Sequence, residues 1–361
     1  MHAAAPDVGW ADFGYMGSEY TTVKSPNIDA FARAPGSMLL RDMHSGGTVC
    51  SPTRASVLTG RNSWRDCVHG VWGPMDPTEG QGKNNGATGP HAANDTFAPM
   101  RTFTVADAIH AADPALGYGK GSTFIAGKWH LGNFFPGLGH ATPIMHGFDH
   151  MFMTQEVAPT STTNCNCDPA WVSSCRLGHN AQWPCANYWT EDPTSETGIR
   201  NMTEPVGPND GALIVDKFEE FVTSRGGKPF LSLLLFHNNH IPFVATAEGA
   251  AACASGAQCP SDRGFDANNV SKQLDYFGAL VDIDVQIGRV RSILKEKGYA
   301  DSTLVWLASD NGPEVNAPNG FVPKDVGGGD FGGPGEARPL RGRKRVRADQ
   351  RPAAPVVTSQ A

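Results

Sequence analysis

Three times along this chain of 361 residues a short apolar run breaks directly into a polar loop. Ser122 to Ala126 (S-T-F-I-A) runs into Gly127, Pro229 to Phe236 into His237, and Ser302 to Ala308 (S-T-L-V-W-L-A) into Ser309-Asp310-Asn311-Gly312. Short apolar runs without polar alternation read as strands buried on both faces, the pattern of a parallel sheet. Helical spacing separates them. Asn27 to Arg33 follows a Ser25-Pro26 start signal, Thr53 to Gly60 ends on a glycine, and Thr104 to Ala112 is a third short helix. Ala212 to Val222 sets Leu213, Val215, Phe218 and Phe221 along one stripe, and Gln273 to Lys297 carries a longer one. The alternation predicts an α/β fold with a large, mostly parallel sheet flanked by helices. Residues 150–210 and the glycine-rich 316–337 read as loops.

Ligands of open α/β sheets collect beyond the carboxyl ends of the strands. The three junctions therefore set Lys128, His130, His237, His240, Asp310 and Asn311 on one rim. A content of 42 Gly and 27 Pro suits an enzyme whose loops carry the chemistry. No run of about 18 apolar residues exists, so a membrane span is not expected.

The formal charge is −7, unevenly spread. Residues 338–361 hold seven basic side chains against one acid, Asp349, which leaves −13 on residues 1–337. The basic block reads as a solvated tail before it reads as a nucleic-acid or nuclear-import patch, and the acidic body argues against a nucleic-acid partner. Cys165, Cys167, Cys175 and Cys185 cluster, and Cys253 and Cys259 sit six apart. Surface-loop disulfides, free thiols and, with His179, a zinc site all stand as readings, although the spacing is not a common zinc pattern. Sequons at Asn94, Asn201 and Asn269 agree with a secretory route. Met1 to Pro6 has neither a charged n-region nor an apolar h-region, so the chain reads as cytosolic or as preceded by a leader outside this frame.

The sharpest motif is Cys50-Ser51-Pro52-Thr53-Arg54, continuing Ala55-Ser56-Val57-Leu58-Thr59-Gly60-Arg61. A cysteine at the mouth of a helix sits where free N–H groups and the helix dipole favour an anion, and Arg54 lies one turn on along the same face. This is a nucleophile position with a cationic partner, or else a buried structural cysteine beside an arginine. The segment resembles the sulfatase signature C-x-P-x-R-x-x-x-x-T-G, whose five fixed positions recur by chance at about 10⁻⁷ per start point.

What that resemblance implies is specific. Cys50 would be oxidised by a formylglycine-generating enzyme, and the hydrated aldehyde would attack sulfur with one hydroxyl and expel sulfate with the other. Gly127-Lys128-Trp129-His130-Leu131-Gly132 is similar to the family's G-K-W-H-x-G, giving Lys128 to the sulfate and His130 to the formylglycine hydroxyl. Ser309-Asp310-Asn311-Gly312-Pro313-Glu314 resembles S-D-N-G-x-E, with hard oxygen ligands suited to Ca²⁺ or Mg²⁺; taken alone it reads as an Asx turn. His237-Asn238-Asn239-His240-Ile241-Pro242 is similar to H-x-P-H-x-P, with His237 as sulfate contact or general acid and His240 more often structural. Leu340-Arg341-Gly342-Arg343-Lys344 resembles L-R-G-x-K, making Lys344 a further sulfate ligand. Ser25-Pro26-Asn27-Ile28-Asp29 and Gly147-Phe148-Asp149 are weaker matches.

The resemblance implies an alkaline-phosphatase-like core over residues 1–345 that cleaves a sulfated small molecule or carbohydrate in the secretory pathway, outside the cell or in a lysosome-like compartment. It also has gaps. Asp7-Val8-Gly9-Trp10-Ala11-Asp12 resembles the metal loop D-D-x-G-[WY]-x-D with Pro6 in the first Asp position, so Asp7, Asp310, Asn311 and Cys50 remain as metal ligands. Met1 to Ala5 looks unable to supply the strand before that loop. Residues 346–361 match nothing in the family's closing subdomain and read as a disordered tail. A frame with a wrong start and a wrong final exon accounts for both. The alternatives are a phosphate or phosphonate ester hydrolase on the same fold, or an inactive truncated fragment.

Overall fold

The computed structural model describes residues 1–5, 7–9, 11–16, 23–41, 43–47, 49–66, 68, 102–112, 114–131, 134, 142–154, 188–196, 198–202, 209–240, 243–259, 270–313 and 356–360. The four clustered cysteines, Asn94, Asn269, Pro6, the 316–337 stretch and Lys344 all lie outside the described residues.

Nine strands form one sheet: β1 (His2–Ala5), β2 (Met38–Leu40), β3 (Thr123–Lys128), β4 (His150–Thr154), β5 (Tyr188–Glu191), β6 (Ile199–Met202), β7 (Leu231–Leu235), β8 (Leu304–Ser309) and β9 (Val356–Gln360). Their order is β2-β9-β8-β1-β7-β3-β4-β5-β6. The five central strands, β8 to β4 in that order, are mutually parallel. Antiparallel strands extend the sheet at both sides. The helices are α1 (Pro26–Arg33), α2 (Cys50–Thr59), α3 (Val105–His110), α4 (Gly211–Arg225), α5 (Ala247–Ala254) and α6 (Val270–Glu296). None of the described helices is long and apolar enough to cross a membrane.

The central runs are apolar throughout because both faces of the sheet are covered. Along β3, Phe124 and Ala126 pack with α4 and α6 residues such as Phe218, Val222 and Leu280, while Ile125 packs on the other side with Leu58 of α2 and Ala106 of α3. On β7 the same period-two alternation sends Leu234 to the first cluster and Leu233 and Leu235 to the second. The long α6 also ties down its neighbours through buried carboxylates. Asp284 accepts from the Asn27 and Ile28 N–H groups at the start of α1, and Asp282 accepts from the Thr246 N–H and hydroxyl at the start of α5.

Two readings of the chain ends need correction. Met1–Ala5 does supply the missing strand: His2 to Ala4 pairs in register with Leu233–Leu235 on one side, and His2 to Ala5 with Trp306–Ser309 on the other. Alanine has little intrinsic strand preference, and a histidine followed by three alanines gives no periodic signal. Two long apolar neighbours provide the hydrogen-bonding partners instead. The tail reading also fails for Val356–Gln360, which is β9, antiparallel between β2 and β8. A lone five-residue segment says nothing of a partner some fifty residues upstream. Likewise 150–210 is not all loop, since β4, β5 and β6 lie within it. These strands are too short to carry their own pattern and owe their form to pairing.

Cys253 and Cys259 are bridged, which agrees with the disulfide reading, but both sulfurs belong to buried residues of the larger core cluster, not to the surface. Gly127 leaves no room for a side chain: its φ is +104°, and an added Cβ would overlap the Leu235 carbonyl oxygen of the neighbouring β7. Gly127→Ala is expected to cost about 3 kcal/mol of unfolding free energy. This should be read as a lower urea midpoint at an unchanged slope, and an unshifted midpoint would contradict this packing.

Candidate active site

The carboxyl ends of the parallel strands deliver the site. Asp7 follows β1, Lys128 closes β3, Thr154 closes β4, His237 follows β7, and Asp310 and Asn311 follow β8. Helix α2 points its first turn at this edge, and Cys50 is its first residue. Cys50 is fully buried, and its Sγ and the nearest carboxylate oxygens of Asp7 and Asp310 all lie within 4.8 Å of one another. Three non-glycine residues have left-handed backbones among the described residues: Asp7, His130 and Asn239, all just past strand ends on this rim. Such conformations cost free energy and concentrate where the surroundings impose them, commonly at functional sites.

The carboxylates are oriented by their own loop. Asp310 Oδ1 accepts the Asp7 N–H at 3.0 Å, and the Asn311 amide donates to Asp7 Oδ1 at 2.7 Å and to the Gly312 carbonyl at 3.0 Å. With its NH₂ so engaged, Asn311 presents its buried Oδ1, which has no hydrogen-bond donor among the described groups. Asp310 Oδ2 is likewise buried and has no hydrogen-bond donor among the described groups, with Arg54 Nη2 3.6 Å away. Inward-facing carboxylate and amide oxygens without donors are what a hard divalent cation takes. The residues present therefore fit the predicted metal group of Asp7, Asp310, Asn311 and residue 50.

Cations crowd the same place. Arg54 is almost wholly buried; it donates to the Lys128 carbonyl, and its Nε has no hydrogen-bond acceptor among the described groups. Lys128 Nζ lies 3.9 Å from Cys50 Sγ. The Ser51 hydroxyl donates to the His130 carbonyl at 2.7 Å, which ties the His130 segment to α2. His237 Nε2 lies 2.7 Å from Thr154 Oγ1, and burial pushes its imidazole below the usual range, with help from Lys128 and Arg54. The structure thus brings together Cys50, Arg54, Lys128, His237, Asp7, Asp310 and Asn311, with His130 tied to the same helix end. His240 donates its N–H to the His237 carbonyl, a turn-closing role.

Several residues escape the sequence reading. Asp12 looks like part of the metal loop, yet its Oδ2 accepts from the Gly9 N–H and the Tyr276 hydroxyl, so it shapes that loop. Tyr276 comes from α6 and had no local signal. Thr154 is the in-register partner of Lys128, legible only once β3 and β4 are paired. The weaker sequence matches are structural: Ser25 donates to Asp29, and Asp149 accepts from Thr123.

The sulfatase family model matches residues 115–351. The chain belongs to the sulfatase family. It is 27% identical over 320 residues to human arylsulfatase G, covering 86% of this chain and 50% of that protein. It is 25% identical to mouse N-acetylgalactosamine-6-sulfatase, over 87% of this chain and 50% of that one. The chain therefore spans about half the length of these curated relatives. Among solved structures, Ps i-CgsB in complex with k-i-k-neocarrahexaose superimposes with a TM-score of 0.69 at 19% identity, over 99% of this chain and 64% of that chain. That likeness establishes the fold.

Arg54 is the cation that offsets Asp310 in this buried cluster. Arg54→Met is expected to lower stability by about 3–5 kcal/mol, because it strands a buried carboxylate. Millimolar Ca²⁺ should raise the melting temperature of the variant more than that of the wild type. Equal shifts would mean that Arg54 and the cation do not share Asp310.

Proposed function

We propose that this chain is the catalytic part of a sulfuric ester hydrolase whose nucleophile is Cys50 after oxidation to formylglycine by a formylglycine-generating enzyme. The observation that carries this reading is the burial of Cys50 at a helix start, within 4.8 Å of two carboxylates and 3.9 Å of a lysine ammonium. The two carboxylates work against a thiolate at this position, whereas an oxygen nucleophile attacking an anionic ester needs both metal ligands and cations beside it.

Formylglycine supplies an aldehyde hydrate, and a divalent cation, Ca²⁺ or alternatively Mg²⁺, supplies Lewis acidity; the cation would be held by Asp7, Asp310, Asn311 and residue 50. Lys128 binds the sulfate oxygens, and Lys344 adds a second ammonium by its match to the family motif. Arg54 fixes the end of β3 against the metal loop and adds positive charge. His130 contacts the hydroxyl of residue 50. His237 holds the proton that the departing alcohol takes up. The substrate is a sulfated small molecule or carbohydrate, and the site of action is the secretory pathway, outside the cell or in a lysosome-like compartment.

Expression with the maturation enzyme should give a Cys50 peptide about 18 Da lighter than the thiol form, from the exchange of SH and H for O. The protein should release sulfate from an aryl sulfate, and Cys50→Ala should abolish release. An unmodified thiol together with no sulfate release overturns the reading. A higher kcat/KM for the matched phosphate ester replaces it with the phosphate or phosphonate hydrolase reading. For the metal, Asp310→Ala should weaken Ca²⁺ binding by calorimetry at least about 100-fold, since it removes a charged ligand; unchanged binding removes Asp310 from the ligand set.

A further inference from the structure

One buried carboxylate is accounted for neither by the metal group nor by helix capping. Asp210 directly precedes α4 and is 0% exposed. An aspartate at that position ordinarily accepts from the N–H groups of the first helical turn. The Asp210 side chain caps nothing, and the Gly211 N–H goes instead to Asn209 Oδ1 at 3.0 Å. Asp210 Oδ2 sits 2.6 Å from His237 Nδ1 and also accepts the hydrogen bond of the Tyr188 hydroxyl. Tyr188 lies flat on Phe152, ring centroids 4.0 Å apart, and edge-on to the His237 ring. Fully buried ion pairs are poor sources of stability, because apolar residues of similar volume do about as well. A carboxylate enclosed this way is better explained by its effect on the histidine.

We propose that Asp210 is a positioning residue for His237: it holds a proton on Nδ1, leaves Nε2 as the ring atom that exchanges a proton with the leaving group, and is itself held by Tyr188. The assignment of a leaving group to His237 rests on the hydrolase reading above; the Nδ1 assignment does not. Among the described residues, the charged and titratable groups around the ring are Asp210 at the start of α4, Tyr188 on β5, Lys128 on β3 and Arg54 on α2. Asp210 is the one that favours the imidazolium, against burial and the two cations. Burial and the adjacent carboxylate push the Tyr188 phenol well up, so it keeps its proton and stays a donor. Nε2 faces Thr154, in register with Lys128, which puts the exchangeable position on the sulfate side of the ring.

Asp210→Asn in the full chain tests this. Nitrogen NMR of the histidine-labelled protein should find His237 protonated at Nδ1 in the wild type, and the variant should lose that fixed state. Identical tautomer signatures overturn the proposal. In kinetics, kcat for an alkyl or sugar sulfate should fall about 10³-fold with KM within about threefold, and kcat for nitrophenyl sulfate about tenfold less, because that leaving group needs little protonation. The pH limb that requires protonated His237 should move to lower pH. Equal losses on both substrates with an unmoved limb would make Asp210 merely structural and overturn its role. Tyr188→Phe should lower kcat by about tenfold with the same preference between leaving groups, and a loss blind to leaving group would remove Tyr188 from the arrangement. A wild type that releases no sulfate defeats the hydrolase reading, and the NMR comparison then decides the Nδ1 assignment alone.

Discussion

The hydrogen-bond ladder that seats β1 between β7 and β8 is the constraint on which the site depends. Pairing of Ala5 with Ser309 brings the chain past the sheet edge at Asp7 beside Asp310 and Asn311. Of the contacts that follow, two use the backbone, the Asp7 N–H to Asp310 and the Ser309 hydroxyl to the Val8 carbonyl at 2.8 Å, and a third joins the Asn311 side-chain amide to the Asp7 carboxylate. These set oxygen atoms inward without a separate scaffold. A one-residue slip of β1 would turn its own side chains to the opposite face and carry Asp7 out of step with Asp310 and Asn311.

Charge is what the rest of the core must accommodate. Asp7, Asp310, Arg54, Lys128, His237 and Asp210 are all buried, a concentration of polar groups that an apolar core would not retain for stability. They are tolerated because strand ends and the first turn of α2 supply N–H and C=O partners, and because opposite charges face one another. Left-handed backbones at Asp7, His130 and Asn239 lie on the same rim. Backbone cost is thus concentrated beside the candidate site.

How much of this was legible beforehand depends on the range of each interaction. Helices α1, α2, α4 and α6 and strands β3, β7 and β8 are written in local periodicity, and their bounds differ from the sequence reading by a few residues. Strands β1, β4, β5, β6 and β9 were invisible for a common reason: they are short, lack alternation, and are strands only because distant segments pair with them. The site divides in the same way. Cys50, Arg54, Lys128, His130, His237, Asp310 and Asn311 sit in contiguous motifs whose spacing reflects one chemistry. Thr154, Asp210, Tyr188 and Tyr276 each come from another element, and no local pattern distinguishes them from ordinary polar residues.

By itself, then, the sequence determined the class of the fold, the family, and the reactive groups that line the strand ends, because buried runs and motif spacing are local properties of the chain. Only the tertiary structure decided that the first residues complete the centre of the sheet and that Val356–Gln360 extends it. It alone made Asp210 the neighbour of His237. Strand pairing and the enclosure of a charge are set by neighbours remote in sequence, and their energies exist only once the chain has brought those neighbours together.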